Sequence, residues 1–210
     1  VEDVIKRFRE KSQAIWIRQN QPEIWRQTHK FLLLSGYLSY RLTGNYIDSI
    51  GSQVGYIPFD YKRLRWASPS DWRWKMLAMT PAMLPELVQP GESMGTITAE
   101  ARRQTGVPEG TPVIASASDK ACEILGSGGT APDIGCMSYG TTATINTTNT
   151  RYVEPIPYMP AYPSAIPGYY CSEVMIYRGF WMVNWFKREF GLREEQIAVE
   201  RGIPPEQLFD

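Results

Sequence analysis

"GTPVIASASDKACEILGSG", residues 110–128, sets one central acid in small and apolar surroundings. The run from Pro112 to Ala117 reads as a short strand of the fully buried type, apolar and β-branched, entered through a turn at Pro108–Gly110. Asp119 follows, and Ala121-Cys122-Glu123-Ile124-Leu125 continues as a helix. A carboxylate at such a junction has two readings. It can cap the helix, its oxygens accepting from free backbone N–H groups. It can also face a ligand, because open α/β sheets meet ligands at the carboxyl ends of their strands. The stretch by itself leaves both open.

Working back, Ala99–Thr105 reads as a helix closed by Gly106, and Met94–Thr98 as a short strand before it. Strand, turn and helix alternate here, which argues for an α/β fold. Trp72–Met79 reads as a short helix capped by Ser70 or Asp71, and residues 45–70 as loop. Tyr37–Leu42 is helical, with Gly44 as its C-cap and Ser35-Gly36 as an interruption before it. Pro22 opens a helix over Glu23–Lys30. Residues 1–20 read as one amphipathic helix, with Ile5, Phe8, Ile15 and Trp16 among charges.

Working forward, Gly126-Ser127-Gly128-Gly129-Thr130-Ala131-Pro132 is the best boundary in the chain. Ile134–Tyr139 and Thr141–Thr148 then read as two strands around Gly140, residues 150–168 as a long loop, Tyr169–Tyr177 as a strand and Gly179–Phe190 as a helix. Trp72, Trp74, Trp181 and Trp185 stand at helical spacing and read as core rather than as ligand-stacking rings.

Bulk properties exclude several classes. In 210 residues, Lys+Arg 22 balances Asp+Glu 22, so no basic excess recommends nucleic acid or an anionic membrane as partner. Three cysteines lie far apart with no CxxC pair, against a zinc site or a disulfide framework. The single histidine, His29, excludes a metal centre built on several imidazoles and reads as a surface or half-buried helix residue. No Gly-x-Ser-x-Gly accompanies it to suggest a catalytic triad. The charged start, VEDVIKRFREKSQ, is neither a leader nor a membrane span, and the expected location is the cytoplasm.

A second motif, Met137-Ser138-Tyr139-Gly140-Thr141-Thr142, places a glycine between two strands beside hydroxyl residues. Such a turn lets backbone N–H groups approach a phosphate, and it also suits a plain hairpin. It is no Walker A loop, and no GxGxxG opens a strand–helix turn here.

The order of these pieces, an acid at a strand–helix junction, then a glycine-rich link, then a strand–Gly-Thr–strand hairpin, resembles the FGGY carbohydrate kinases. "QAIWIRQNQPEIWRQTHKFLLLSGYLSYRLTGNYIDSIGSQVGYIPFD" (residues 13–60) is similar to a helical stretch of their first domain, followed by an Asp and a Ser-rich turn. "LPELVQPGESMGTIT" (84–98) resembles the segment before that domain's final strands, "GTPVIASASDKA" (110–121) the strand that delivers the catalytic acid, and "IGCMSYGTTATINTT" (134–148) the phosphate hairpin that opens the second domain.

The resemblance implies an actin-like, ribonuclease-H-like α/β fold of two domains, incomplete in this chain. Residues 1–127 would be the later part of the first domain and 128–210 the opening of the second. It implies phosphorylation of a sugar or polyol hydroxyl by ATP, with Mg²⁺, and it admits a homodimer. Asp119 would be the general base and, with Lys120, would meet the substrate. Gly140, Thr141 and Thr142 would hold ATP phosphates, and Gly179 would lie near the nucleotide. Relatives carry a D-x-G-(T/S) turn and a glycine-rich adenosine segment that these 210 residues lack. The expectation is an internal fragment, inactive alone, with a non-catalytic sugar-binding or truncated kinase-fold protein as the alternative.

Overall fold

The computed structural model describes residues 2–55, 58–157 and 159–209. The chain opens with helices α1 (Glu2–Lys11), α2 (Gln13–Asn20), α3 (Pro22–Gln27) and α4 (Leu34–Thr43). Ser12 divides the expected first helix in two. It takes an extended conformation and its hydroxyl accepts from Ile15 N, so it caps α2 instead of continuing α1. Ser35 and Gly36 do not interrupt α4 but lie inside it, and Gly44 closes it in the left-handed region. His29 is exposed in the extended link after α3 rather than in a helix.

The segment expected as loop holds short elements: strand β1 (Ile47–Ser49), a 3₁₀ turn at Ile50–Ser52, and the hairpin β2 (Phe59–Asp60) and β3 (Arg65–Trp66). A further 3₁₀ turn covers Trp72–Met76, capped by Asp71, whose side chain accepts from Arg73 N. Strands β4 (Glu86–Val88), β5 (Ser93–Thr96) and β6 (Pro112–Ile114) follow, with α5 (Ala99–Thr105) between the last two and α6 (Asp119–Gly126) after them. β1 pairs with β4 in parallel, and β5 pairs with β6 antiparallel. The strand before Asp119 is therefore shorter than expected and not fully buried: Ile114 is 51 % exposed, and among the described residues β6 pairs with β5 alone.

Beyond α6 come β7 (Cys136–Tyr139), β8 (Ala143–Asn149), β9 (Tyr162–Pro163) and β10 (Tyr170–Ile176), forming one sheet in the order β7-β8-β10-β9, all antiparallel. Helices α7 (Trp181–Phe190) and α8 (Leu192–Arg201) finish the chain, with a last 3₁₀ turn at Pro205–Leu208.

Ile50, Phe59 and Leu64 form a buried cluster, against which Trp66, Leu87 and Tyr170 pack. Tyr170 reaches across from β10 and donates its hydroxyl hydrogen to Lys62 O at 2.9 Å, so the later sheet leans on the earlier hairpin. Trp72, Trp181 and Trp185 depart from the core reading, while Trp74 is half-buried. Trp181 is 47 % exposed and Trp72 44 %, because among the described residues little packs on their outer faces. No described helix is long and apolar enough to cross a membrane.

Candidate functional site

The path into Asp119 is fixed by backbone bonds on both sides. Ala115 N donates to Glu92 O and Gly91 N to Ala115 O, each at 2.8 Å. The next three residues are held from the β1 side. Ser49 Oγ donates to Ser116 O, and Ser118 N donates to Gly51 O at 2.9 Å. Gly51 sits so close to Ala117 that an added Cβ would lie 2.7 Å from the alanine Cβ, so only glycine permits this approach.

Helix α6 then starts with Ser118, not Asp119, as its cap: Ser118 Oγ accepts from Ala121 N at 3.3 Å. The capping reading of Asp119 is corrected by one residue. Asp119 is the first helical residue, exposed, with Oδ1 accepting from Lys120 N at 2.7 Å. With the cap supplied next door, this carboxylate keeps free acceptor capacity toward solvent.

Lys120 points toward the later sheet. Its Nζ donates to Glu123 Oε2 at 2.6 Å and to Ser138 Oγ at 3.0 Å. It also lowers the carboxyl pKa of half-buried Glu173 on β10, although desolvation outweighs that and leaves Glu173 above the ordinary value. Lys120 is thus neither a free surface lysine nor an unattached substrate contact. It joins the first turn of α6 to β7.

Strand β7 runs directly into the Gly140 turn. Gly140 N donates to Thr142 O, and Gly140 O accepts from Phe180 N, both at 2.9 Å. Gly179 is pressed onto the same turn: a Cβ there would lie 2.1 Å from Gly140 O and 2.6 Å from Thr141 C. The fold therefore brings Gly179 to Gly140, Thr141 and Thr142. The side chains and backbone N–H groups of Thr141 and Thr142 make no hydrogen bond to any described residue. An exposed turn with such unpaired donors fits an anionic oxygen. No group of three or more His, Cys, Asp or Glu among the described residues could hold a metal ion.

Three features escaped the reading of the sequence as chemistry: the cap Ser118, the Lys120 partner Ser138, and the buried Asp48–Gly51 segment behind the acid. The signal available was the polar string Asp48-Ser49 beside Gly51, where a loop would favour exposed residues.

The chain as a whole is similar to known proteins. The model of the N-terminal domain of the FGGY family of carbohydrate kinases matches residues 3–126. The chain belongs to the FGGY family. An uncharacterized sugar kinase, YgcE of Escherichia coli K12, is 32 % identical over 177 residues, 84 % of this chain and 36 % of the relative. A xylulose kinase of Lactococcus lactis is 25 % identical over 84 % of this chain and 35 % of its own length. Among solved structures, a xylulose kinase from Lactobacillus acidophilus superposes with a TM-score of 0.72 at 22 % identity, covering 94 % of this chain and 38 % of that one. The fold is thus the actin-like fold of the sugar kinases, of which this chain carries a part. It spans just over a third of the length of the relatives it matches.

Proposed function

We propose that the full-length protein transfers the γ-phosphoryl group of ATP to a hydroxyl of a sugar or polyol in the cytoplasm. Asp119 acts as general base. As the hydroxyl oxygen bonds to phosphorus, its proton passes to the Asp119 carboxylate, and the bond from phosphorus to the ADP oxygen breaks. General base catalysis is worth roughly 10²–10⁴-fold, and positioning with charge stabilisation supplies most of the rest. Thr141 and Thr142 hold the ATP phosphates through hydroxyls and N–H groups, with Gly140 giving the turn its shape and Gly179 closing behind it. Lys120 meets the substrate beside Asp119, and its bond to Ser138 also ties α6 to the hairpin.

The observation that carries this reading is the pairing of an exposed carboxylate not used as a cap with an unpaired N–H and hydroxyl turn, joined through Lys120 and Ser138. The described residues offer Mg²⁺ no ligand cluster, so no step is assigned to it. A division near residue 127 into two domains is supported by the end of the N-terminal-domain match at residue 126. With the other half of the ATP site, the D-x-G-(T/S) turn and the adenosine segment, expected outside it, the 210-residue chain is predicted to be inactive alone.

The test uses full-length protein, ATP, and xylulose, gluconate and glycerol as acceptors. One acceptor should turn over, and Asp119→Asn should lower kcat by about 10²–10⁴-fold while ATP binding persists. Near-normal turnover by that variant would remove Asp119 as base. No turnover with any acceptor favours a non-catalytic, sugar-binding protein.

A further inference from the structure

Asp48 is the most deeply buried acid among the described residues, 1 % exposed, and no Lys or Arg is among its partners. Burying a carboxylate without a cation is costly unless hydrogen bonds replace water. Here they do. Oδ2 accepts from Ser35 Oγ at 2.9 Å and from Gln53 Nε2 at 3.1 Å, and Oδ1 accepts from Ser49 N at 2.8 Å. Helix α4 leaves room for the carboxylate by presenting Gly36, where a Cβ would lie 3.2 Å from Oδ2.

Two of these donors, Ser49 and Gln53, belong to the loop 48–53 itself. Gln53 Nε2 also donates to Ser49 O at 3.0 Å, so one amide ties the carboxylate to the chain beside it. The Ser49 hydroxyl accepts from Gly51 N at 3.1 Å and donates to Ser116 O. The same loop accepts Ser118 N at Gly51 O, 2.9 Å, and packs Gly51 on Ala117. The loop thus grips three consecutive residues, 116 to 118, immediately before the acid. A core needing only stability would place apolar side chains there.

We infer that Asp48, acting through Ser49 and Gly51, is a positioning residue for Asp119: its carboxylate holds the loop that fixes the backbone of residues 116–118 and so aims the base. This rests on the proposed kinase reading and extends it to residues that touch neither substrate nor nucleotide. An acid at the first position of a helix inherits its direction from the turn before it, and a displacement of about 1 Å can cost up to roughly 10²-fold in rate.

A double-mutant cycle in the full-length kinase tests it. Ser49→Ala removes the bond to Ser116 O and is expected to lower kcat roughly tenfold, with the KM values for sugar and ATP held within about twofold. In an Asp119→Asn background the same substitution should lower the residual kcat by less than about twofold, because the group it aims is gone. Equal losses in both backgrounds would mean that Ser49 only supports folding, and would overturn the inference. If Ser49→Ala does not fold, Ser35→Ala, which removes one bond to Asp48, takes its place and should show the same non-additivity at smaller amplitude. Near-normal kcat in Asp119→Asn alone would sink the base assignment, a result distinct from failure of the cycle.

Discussion

The two flanks of Asp119 are built in opposite ways. Behind it, residues 48–53 and 115–118 are locked by buried polar groups: Asp48, Ser49 and Gln53 are all nearly inaccessible. Ahead of it, the sheet turns its polar face inward and its apolar face out. Thr144, Asn146 and Thr148 on β8 are buried, whereas Met137 is 64 % exposed, Tyr139 61 % and Ile176 62 %. Register explains the pattern. Met137, Ile145 and Val174 align across three strands on one face, as do Tyr139, Ala143 and Ile176, and their neighbours fall on the other. The difference teaches that the acid is fixed from behind by backbone, whereas ahead of it α6 meets β7 through side chains: Lys120 on Ser138 at the first turn, and Cys136 on Ile124 O and Ser127 at the last. On the proposed reading, an Asp119 fixed chiefly from behind keeps its aim while the Gly140 hairpin shifts during cleft closure.

The strongest way to break that asymmetry is to fill the two glycine contacts. Gly51→Ala pushes a methyl into Ala117, and Gly179→Ala pushes one into Gly140 O. Each is expected to cost about 1–3 kcal/mol of stability by overpacking, read from urea denaturation. Their kinetic signatures should separate. Gly51→Ala disturbs the approach to Asp119 and should lower kcat. Gly179→Ala moves the threonine turn and should raise the KM for ATP. Matching signatures would mean that the two flanks move as one body.

Acidity separates two buried carboxyls of the earlier half, Asp48 and Asp60. Asp48 has no cation, and desolvation raises its carboxyl pKa despite the hydrogen bonds from Ser35, Ser49 and Gln53. Burial also pushes Asp60 upward, but the hydrogen bond from Arg63 and the charge of Arg73 prevail and hold it below the usual carboxylate range. The signs then oppose. A raised folded pKa gives stability present below the unfolded value and lost as pH rises through the folded one. A depressed pKa gives stability present above the unfolded value and lost as pH falls through the folded one. Melting temperatures from about pH 3 to pH 7 should therefore fall less steeply toward high pH in Asp48→Asn, and less steeply toward low pH in Asp60→Asn, than in the parent. An unchanged profile in Asp48→Asn would show that its carboxyl titrates as in the unfolded chain.

Much of this was readable in the sequence. The helices closed by Gly44 and Gly106, the hairpin around Gly140 and the helix after Asp119 lie where turn and cap residues put them, because those signals are local. What misled was tertiary. Ser35-Gly36 looks like a helix break until Asp48 is seen to need both a hydroxyl and the space of a missing side chain. Ser118 and Asp119 are both good caps by type, and only the backbone direction set from residues 49–51 decides between them. The tryptophans of α7 keep a helical spacing that promises a core, but spacing says nothing of what packs against it.

The smallest effects belong to the inverted sheet, and they measure whether its outer face is as open as its exposures indicate. In the 210-residue chain Met137→Ser and Ile176→Ser should each change unfolding free energy by no more than about 0.5 kcal/mol, since these side chains already lie in water. Thr148→Ala on the inner face should cost about 1 kcal/mol, because it takes the hydroxyl from Gly129 O, 2.5 Å away, and leaves that carbonyl short of a donor. Urea denaturation reads both. A loss at Met137 as large as that at Thr148 would mean that something covers the outer face even in the short chain, and a second copy is then the first thing to look for, by the concentration dependence of the midpoint. Equal and negligible losses would mean instead that the inner face is loosely held, and that the polar row of β8 does not anchor the sheet to the glycine-rich link.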